Sequence, residues 1–258
     1  MLPEILAHKR RELASLCKRS VVNMEREIAD LPATRDFESA LRKTGHISLI
    51  AEIKRRSPSK GRLSSHFDPA VMAQLYESAG ASAVSVLTDS RYFDGSDSDL
   101  IAARKSISLP VLRKDFIVDE YQVLQSRLIG ADAILLIVAA LSPEELMCLS
   151  RLAGNVGLHV LTEVHDEREI EAAVNAGSRV IGINNRNLKT FEVSLATTER
   201  LRPLIPSDIV CVSESGLKSR EDVLRVREVR VDAVLVGEGI VSAEDPAGQI
   251  RKLLGVQS

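Results

Sequence analysis

The residue types able to exchange protons gather at the ends of apolar runs. Glu52 and Lys54 close the run LIAEIK, Lys114 follows PVLR, Glu163 follows LHVLT, Asn184 follows VIGI and Glu214 follows IVCVS. Ammonium groups and carboxylates brought to one place supply donors and acceptors for general acid and base chemistry. Glu52 and Lys54 are two apart, and in a strand residues at that spacing share a face. With Ala51 and Ile53 facing a packed layer, both charges point the other way, where burial is costly unless partners or a ligand compensate. Any one of the six is also readable as a strand-end charge turned to solvent, so the reading as a set depends on whether the strand ends converge. Two further segments, SESG (213–216) and VGEG (236–239), place small residues where backbone N–H groups can face an anion. Each glycine taken singly is equally readable as a turn.

Eight short runs rich in Val, Ile and Leu must carry these residues: Leu49–Ile53, Ala83–Leu87, Pro110–Leu112, Ala133–Val138, Leu158–Thr162, Val180–Ile183, Ile209–Val212 and Ala233–Val236. The spacing leaves room for one helix and two loops between successive strands. Six intervening stretches read as helices, each opening near a capping or acidic residue with apolar residues at three-to-four spacing: Asp68–Ala79, Asp119–Ile129, Ser142–Ala153, Asp166–Ala176, Lys218–Glu228 and Asp245–Leu254. Ser142, Pro143 and Glu145 form a complete entry signal of cap hydroxyl, proline in the first turn and glutamate at the third position. A quasi-repeat, GASAVSVL, GADAILLI and GSRVIGIN, joins a glycine helix stop to an apolar strand. Strands separated by helices run parallel, and strands apolar on both faces belong to a buried parallel sheet. Eight such units fit a closed (β/α)8 barrel, the TIM-barrel architecture, in which functional residues sit at the C-terminal strand ends and phosphate binds after strands seven and eight. No glycine-rich dinucleotide loop follows the first strand, which weighs against an open nucleotide-binding sheet. Residues 1–46 read as an N-terminal helical extension with Ile5, Leu6, Leu13 and Leu16 on one face, and the basic cluster Lys9–Arg11 as a solvated face. The expectation is a single barrel domain over 1–258.

Composition narrows the function classes. Lys plus Arg number 34 against 36 Asp plus Glu, a net charge of −2 that gives no general attraction to nucleic acid or an anionic membrane. With no Trp, three Tyr and five Phe, the chain lacks a base-stacking platform. The longest apolar run, Ala133–Leu141, is too short to span a bilayer, and the first residues mix charge throughout, so a cytoplasmic protein is expected. Cys17, Cys148 and Cys211 are far apart and odd in number, which supports neither a disulfide framework nor a thiolate metal site. His159 and His165 show no metal-ligand pattern and read as surface histidines.

The block AEIKRRSPSKG (51–61) closely resembles the first-strand signature of the indole-3-glycerol phosphate synthase family. PVLRKDFIVDEYQ, ADAILLIVAAL, LTEVHDERE, IGINNRNLKTFEV, VSESGL and VLVGEGIV resemble successive family blocks in the family's order, and ILAHKRREL resembles its N-terminal helix. The resemblance implies ring closure of 1-(2-carboxyphenylamino)-1-deoxyribulose 5-phosphate to indole-3-glycerol phosphate, with loss of carbon dioxide and water. It implies Lys114 as principal general acid and Glu163 as general base for the dehydration. Lys54 would meet the substrate carboxylate or phosphate and share proton delivery. Glu52 would hold Lys54 and a substrate hydroxyl, while Asn184 and Glu214 orient the lysines and sugar hydroxyls. Phosphate contacts carry over to Lys54, Ser215, Gly216, Gly237 and Glu238, the last through its backbone N–H. An apolar slot for the aromatic ring falls on Pro58, Phe93, Phe116 and Leu188. Ser57 and Arg186 are candidates for carboxylate binding or loop closure, and Lys60 and His66 for a lid. A lowered lysine pKa is open at this stage. No cofactor or metal is implied; the partner is a small phosphorylated substrate, not nucleic acid or membrane, and no protein partner is indicated. Two other readings fit the residues: a Schiff-base aldolase using Lys54 or Lys114, and a non-catalytic phosphosugar-binding barrel.

Overall fold

Alternation along parallel strands sends one parity of side chains inward and the other toward surrounding helices, and the chain obeys it throughout. A computed structural model describes residues 2–16, 19–42, 45–57, 61–62, 67–188 and 190–256. Eight parallel strands, β1 (Ser48–Ile53), β2 (Ala83–Leu87), β3 (Val111–Lys114), β4 (Ala133–Ile137), β5 (His159–Val164), β6 (Val180–Asn184), β7 (Val210–Glu214) and β8 (Ala233–Val236), close into a barrel. Closure is the pairing of β1 with β8, Ser48 opposite Ala233 through Ala51 opposite Val236. Ile50, Leu112, Leu135, Leu161, Val212 and Leu235 fill the interior. The other parity, including Leu49, Ala51, Ile53, Ile181 and Cys211, packs against the helical ring.

Four strands run further than their apolar runs suggest. The third, fifth, sixth and seventh extend to Lys114, Val164, Asn184 and Glu214, because backbone pairing does not require apolar side chains. Leu87 pairs with Lys114, Ile137 with Glu163 and Asn184 with Glu214, so these strand-end polar residues belong to the sheet itself. The fourth ends one residue early, at Ile137, where a 3-10 turn over Val138–Ala140 begins.

The N-terminal segment supplies α1 (Leu2–Ser15), α2 (Val21–Ala29) and α3 (Phe37–Leu41). Phe37 and Leu41 of α3 join the interior cluster, and Met24 and Ile28 of α2 pack with Leu124. Around the barrel follow α4 (Pro69–Ser78), α5 (Ser90–Phe93), α6 (Asp97–Ser106), α7 (Glu120–Leu128), α8 (Pro143–Asn155), α9 (Glu167–Asn175), α10 (Ala196–Leu201), α11 (Arg220–Glu228), α12 (Glu238–Val241) and α13 (Pro246–Leu254). The capping signals are realised: Asp68, Asp119, Ser142, Asp166, Ser219 and Asp245 each accept a backbone N–H at a helix start, with a full capping box at Ser142 and Glu145. Helices α6 and α10 were hidden from the sequence. In α6 the opening Asp-Ser-Asp reads as a turn, although Ser96 caps it, and α10 is only six residues long.

Lys9 corrects one expectation. Rather than joining a solvated basic face with the exposed Arg10 and Arg11, it is buried, with Nζ 2.9 Å from Asp89, 3.1 Å from Asp115 and 3.2 Å from Glu12.

Candidate active site

The inward parity of β1, β3, β5 and β7 ends on Glu52, Lys114, Glu163 and Glu214, and the barrel brings the four together at one mouth. Lys114 Nζ lies 2.7 Å from Glu214 Oε2, 3.8 Å from Glu163 Oε2 and 4.0 Å from Glu52 Oε2. Lys54, one step beyond β1, donates to Glu52 Oε1 at 2.7 Å. The strand ends therefore converge, and the charges are compensated by one another rather than turned to solvent.

Charge states follow from this crowding. Burial alone would lower the Lys114 pKa, but Glu214, Glu163 and Glu52 outweigh it and hold the side chain as an ammonium well above its ordinary range. A lowered lysine pKa is thus corrected for Lys114. For Glu52, burial opposes ionisation, yet Lys54 and Lys114 prevail and its pKa is depressed. Glu214 goes the other way: burial, against the attraction of Lys114 and with the repulsion of Glu163 and Glu52, pushes its carboxyl up to about 7. Three carboxylates around one buried lysine carry excess negative charge, and Glu214 is where a proton relieves it.

Small residues make the cluster possible. A Cβ on Gly182 would collide with the Glu214 carboxylate, and one on Gly237 with that of Glu52. Gly237 therefore makes room for the Glu52 side chain, where the sequence suggested only close approach of backbone to phosphate. At the β7 end, Ser215 takes a left-handed φ of 66° and Gly216 one of 86°. Asn185 holds this turn: its side-chain amide donates to Glu214 O, Ser215 O and Ser213 Oγ, while its Oδ1 accepts from Thr198.

The cluster floors a cavity of about 1140 Å³. Phe93 and Phe116 line one flank with ring centroids 6.3 Å apart, joined by Leu188 and by Ile5 of the extension. Ser215, Gly216, Gly237 and Glu238 line the opposite end, and Arg186 and Asn184 the wall between. The Arg186 backbone N–H donates to Asn184 Oδ1 at 3.0 Å. One expected residue is not among those that line the cavity. Ser57 is buried in the short ribbon that pairs Arg56–Ser57 with Gly61–Arg62, away from the lining. Pro58, like Lys60 and His66, lies outside the described residues.

Sequence reasoning missed several supporting groups. Asn185 alternates away from the mouth, and a second Asn beside Asn184 gave no reason to separate their roles. Arg113, on the outer face of β3, reaches Asp97, Asp115, Thr88 and Ser126 behind Lys114. His165 is not a surface histidine: its side chain is 14% exposed and stands between Glu163 and Glu169. The available signal was parity, since His165 is two residues beyond Glu163. His159 does remain near the surface, 3.7 Å from Asp36.

Comparison with known proteins places this arrangement. A family profile described as indole-3-glycerol phosphate synthase matches residues 2–253. A protein named indole-3-glycerol phosphate synthase from Chlorobium phaeovibrioides is 51% identical over 246 residues, covering 94% of this chain and 95% of its own. One of the same name from Polaromonas sp. is 49% identical over 260 residues, covering 99% and 98%. Among solved structures, 3-hexulose-6-phosphate synthase from Salmonella typhimurium superposes with a TM-score of 0.65 at 15% identity, covering 81% of this chain and 97% of that one. Thiamine phosphate pyrophosphorylase from Pyrococcus furiosus gives 0.63 at 15% identity, covering 84% and 96%. At such identity these two establish the barrel fold alone.

Proposed function

From the premise that the chain belongs to the indole-3-glycerol phosphate synthase family, we infer how its barrel mouth divides the work of that reaction. The activity is ring closure, decarboxylation and dehydration of 1-(2-carboxyphenylamino)-1-deoxyribulose 5-phosphate to indole-3-glycerol phosphate in tryptophan biosynthesis. The observation that carries the assignment of roles is Lys114, an ammonium within 4.0 Å of three carboxylates in the cavity floor.

In this reading the phosphate is gripped by Ser215, Gly216, Gly237 and the backbone of Glu238, with Lys54 reaching toward it. The aromatic ring enters the slot formed by Phe93, Phe116 and Leu188, with Arg186 beside the carboxylate. Ser57 stays a candidate for carboxylate binding or loop closure, and Pro58 for the apolar slot. Lys114 donates to the ketone oxygen as the ring carbon bearing the carboxylate attacks the carbonyl carbon. The C–CO2 bond then breaks, and its electron pair restores the aromatic ring. Departure of the new hydroxyl as water needs a second proton, from Lys114 or Lys54, because hydroxide is a poor leaving group. Glu163 removes the C–H proton of the closing ring. Two protons are given and one is taken, so each turnover draws one from solvent. Glu52, Asn184 and Glu214 orient the lysines and the sugar hydroxyls. Proton transfer and decarboxylation driven by aromatisation need no cofactor.

The charge state of Lys114 weighs against a Schiff-base aldolase, because imine formation requires the free amine. Borohydride trapping tests this: no substrate-dependent adduct on either lysine is expected. The retained Glu52, Lys54, Lys114 and Glu163 weigh against a silent binding barrel. Glu163→Gln is expected to stall in dehydration, with single-turnover kinetics showing carbon dioxide release ahead of indole formation; simple loss of binding would move the base assignment elsewhere. The near-neutral charge and sparse aromatics support a small phosphate ester over nucleic acid as ligand. Among the described residues no helix is long and apolar enough to cross a membrane, and the cytoplasm is the compartment proposed.

A further inference from the structure

Glu163 has a basic nitrogen at each carboxylate oxygen. Oε2 is 3.8 Å from Lys114 Nζ, and Oε1 is 3.4 Å from His165 Nε2. The ring of His165 is braced from behind. Glu169 Oε2 accepts the His165 backbone N–H at 2.7 Å and lies 3.0 Å from Nδ1. An ionised carboxylate only accepts, so Nδ1 carries a hydrogen and the charge of the ring is decided at Nε2. That nitrogen is buried and has no hydrogen-bond partner among the described residues. A buried nitrogen left unpaired costs free energy, and the carboxylate of the base stands 3.4 Å from it.

The charged groups facing the ring are Glu163 from β5, Glu169 from α9 and Glu214 from β7, with Lys114 of β3 beyond Glu163. Burial alone lowers the imidazole pKa, but the Glu169 hydrogen bond and the three carboxylates outweigh it and raise the pKa above its usual value. Glu163 in turn shares the cavity floor with Glu52 and Glu214, so the two nitrogens at its oxygens are what hold its carboxylate in place.

Resting on the assignment of Glu163 as general base, we propose that His165 is a positioning residue for it. As an imidazolium braced by Glu169, it fixes Oε1 and sets a second cation beside the carboxylate, leaving Oε2 turned toward Lys114 and the cavity. His165 touches no substrate in this role and acts through Glu163 alone.

The test compares His165→Gln, which retains an N–H donor but not the charge, with Glu163→Gln and the unaltered protein. The readouts are kcat and KM across the acid limb of the pH profile, with thermal unfolding confirming that each variant is folded. His165→Gln is expected to leave KM within about twofold and to lower kcat about tenfold near neutral pH, less than direct loss of a general base. Its acid limb moves to higher pH by about one unit, because removing an adjacent cation disfavours the carboxylate. An unmoved acid limb, whether kcat is lowered or not, assigns His165 a packing role and overturns the proposal. If Glu163→Gln is inactive while His165→Gln matches the unaltered protein, only the His165 role falls; if Glu163→Gln turns over normally, the base assignment falls with it.

Discussion

Glu214 and Lys114 touch at 2.7 Å, yet burial and the crowding of carboxylates leave Glu214 with a carboxyl pKa of about 7. Its effect on stability has a definite sign. A group whose pKa is higher in the folded protein than its ordinary 4.5 binds an extra proton on folding between those values. Its stabilisation is complete below about 4.5 and is lost as pH rises through about 7. Glu214→Gln mimics the protonated form, so its Tm relative to the unaltered protein should rise as pH increases across that window. A constant difference in Tm would mean that Glu214 is not the site of the relieving proton. At this scale the sequence was informative about identity and poor about state. Residue type and strand parity selected Glu52, Lys114, Glu163 and Glu214, whereas their charge states arise from distances between four different strands.

At the scale of elements, the N-terminal extension does more than cover the barrel. Lys9 of α1 ties together Asp89, which caps the helix carrying Phe93, and Asp115, which accepts the backbone N–H of Phe116. The two rings of the proposed slot are thus indexed to one buried ammonium. Removing Lys9 takes the ammonium from two buried carboxylates, so Lys9→Met should cost on the order of 3–5 kcal/mol. In a chain of this size that lowers Tm by roughly 10 °C. KM should rise more than kcat falls, since the slot loosens while the Lys114 cluster stays intact. An unchanged Tm and KM would reduce Lys9 to a surface charge. This arrangement was illegible in the sequence because a Lys-Arg-Arg run reads as solvated, and its partners lie far along the chain. Ser142 and the other caps were legible because their bonds are local.

For the whole molecule, the near-zero net charge conceals a strong local asymmetry. A barrel whose interior is apolar from Ile50 to Leu235 gathers two lysines and three glutamates at one rim. The eight-strand count and its closure could be read from spacing and glycine stops, and so could the end of the barrel at which the charged residues gather. What spacing could not supply was where strands stop, since pairing carries β3, β5, β6 and β7 past their apolar runs, nor which glycines serve carboxylates instead of phosphate.

The proposed mechanism turns on the Lys114 ammonium as the proton donor for ring closure. It is tested most directly by mixing purified protein with 1-(2-carboxyphenylamino)-1-deoxyribulose 5-phosphate and following the rise of indole fluorescence, in parallel for Lys114→Met. The unaltered protein should produce indole-3-glycerol phosphate, and Lys114→Met should lose about 1,000-fold or more in kcat with a modest change in KM. Turnover by Lys114→Met within a few-fold of the unaltered protein would contradict it.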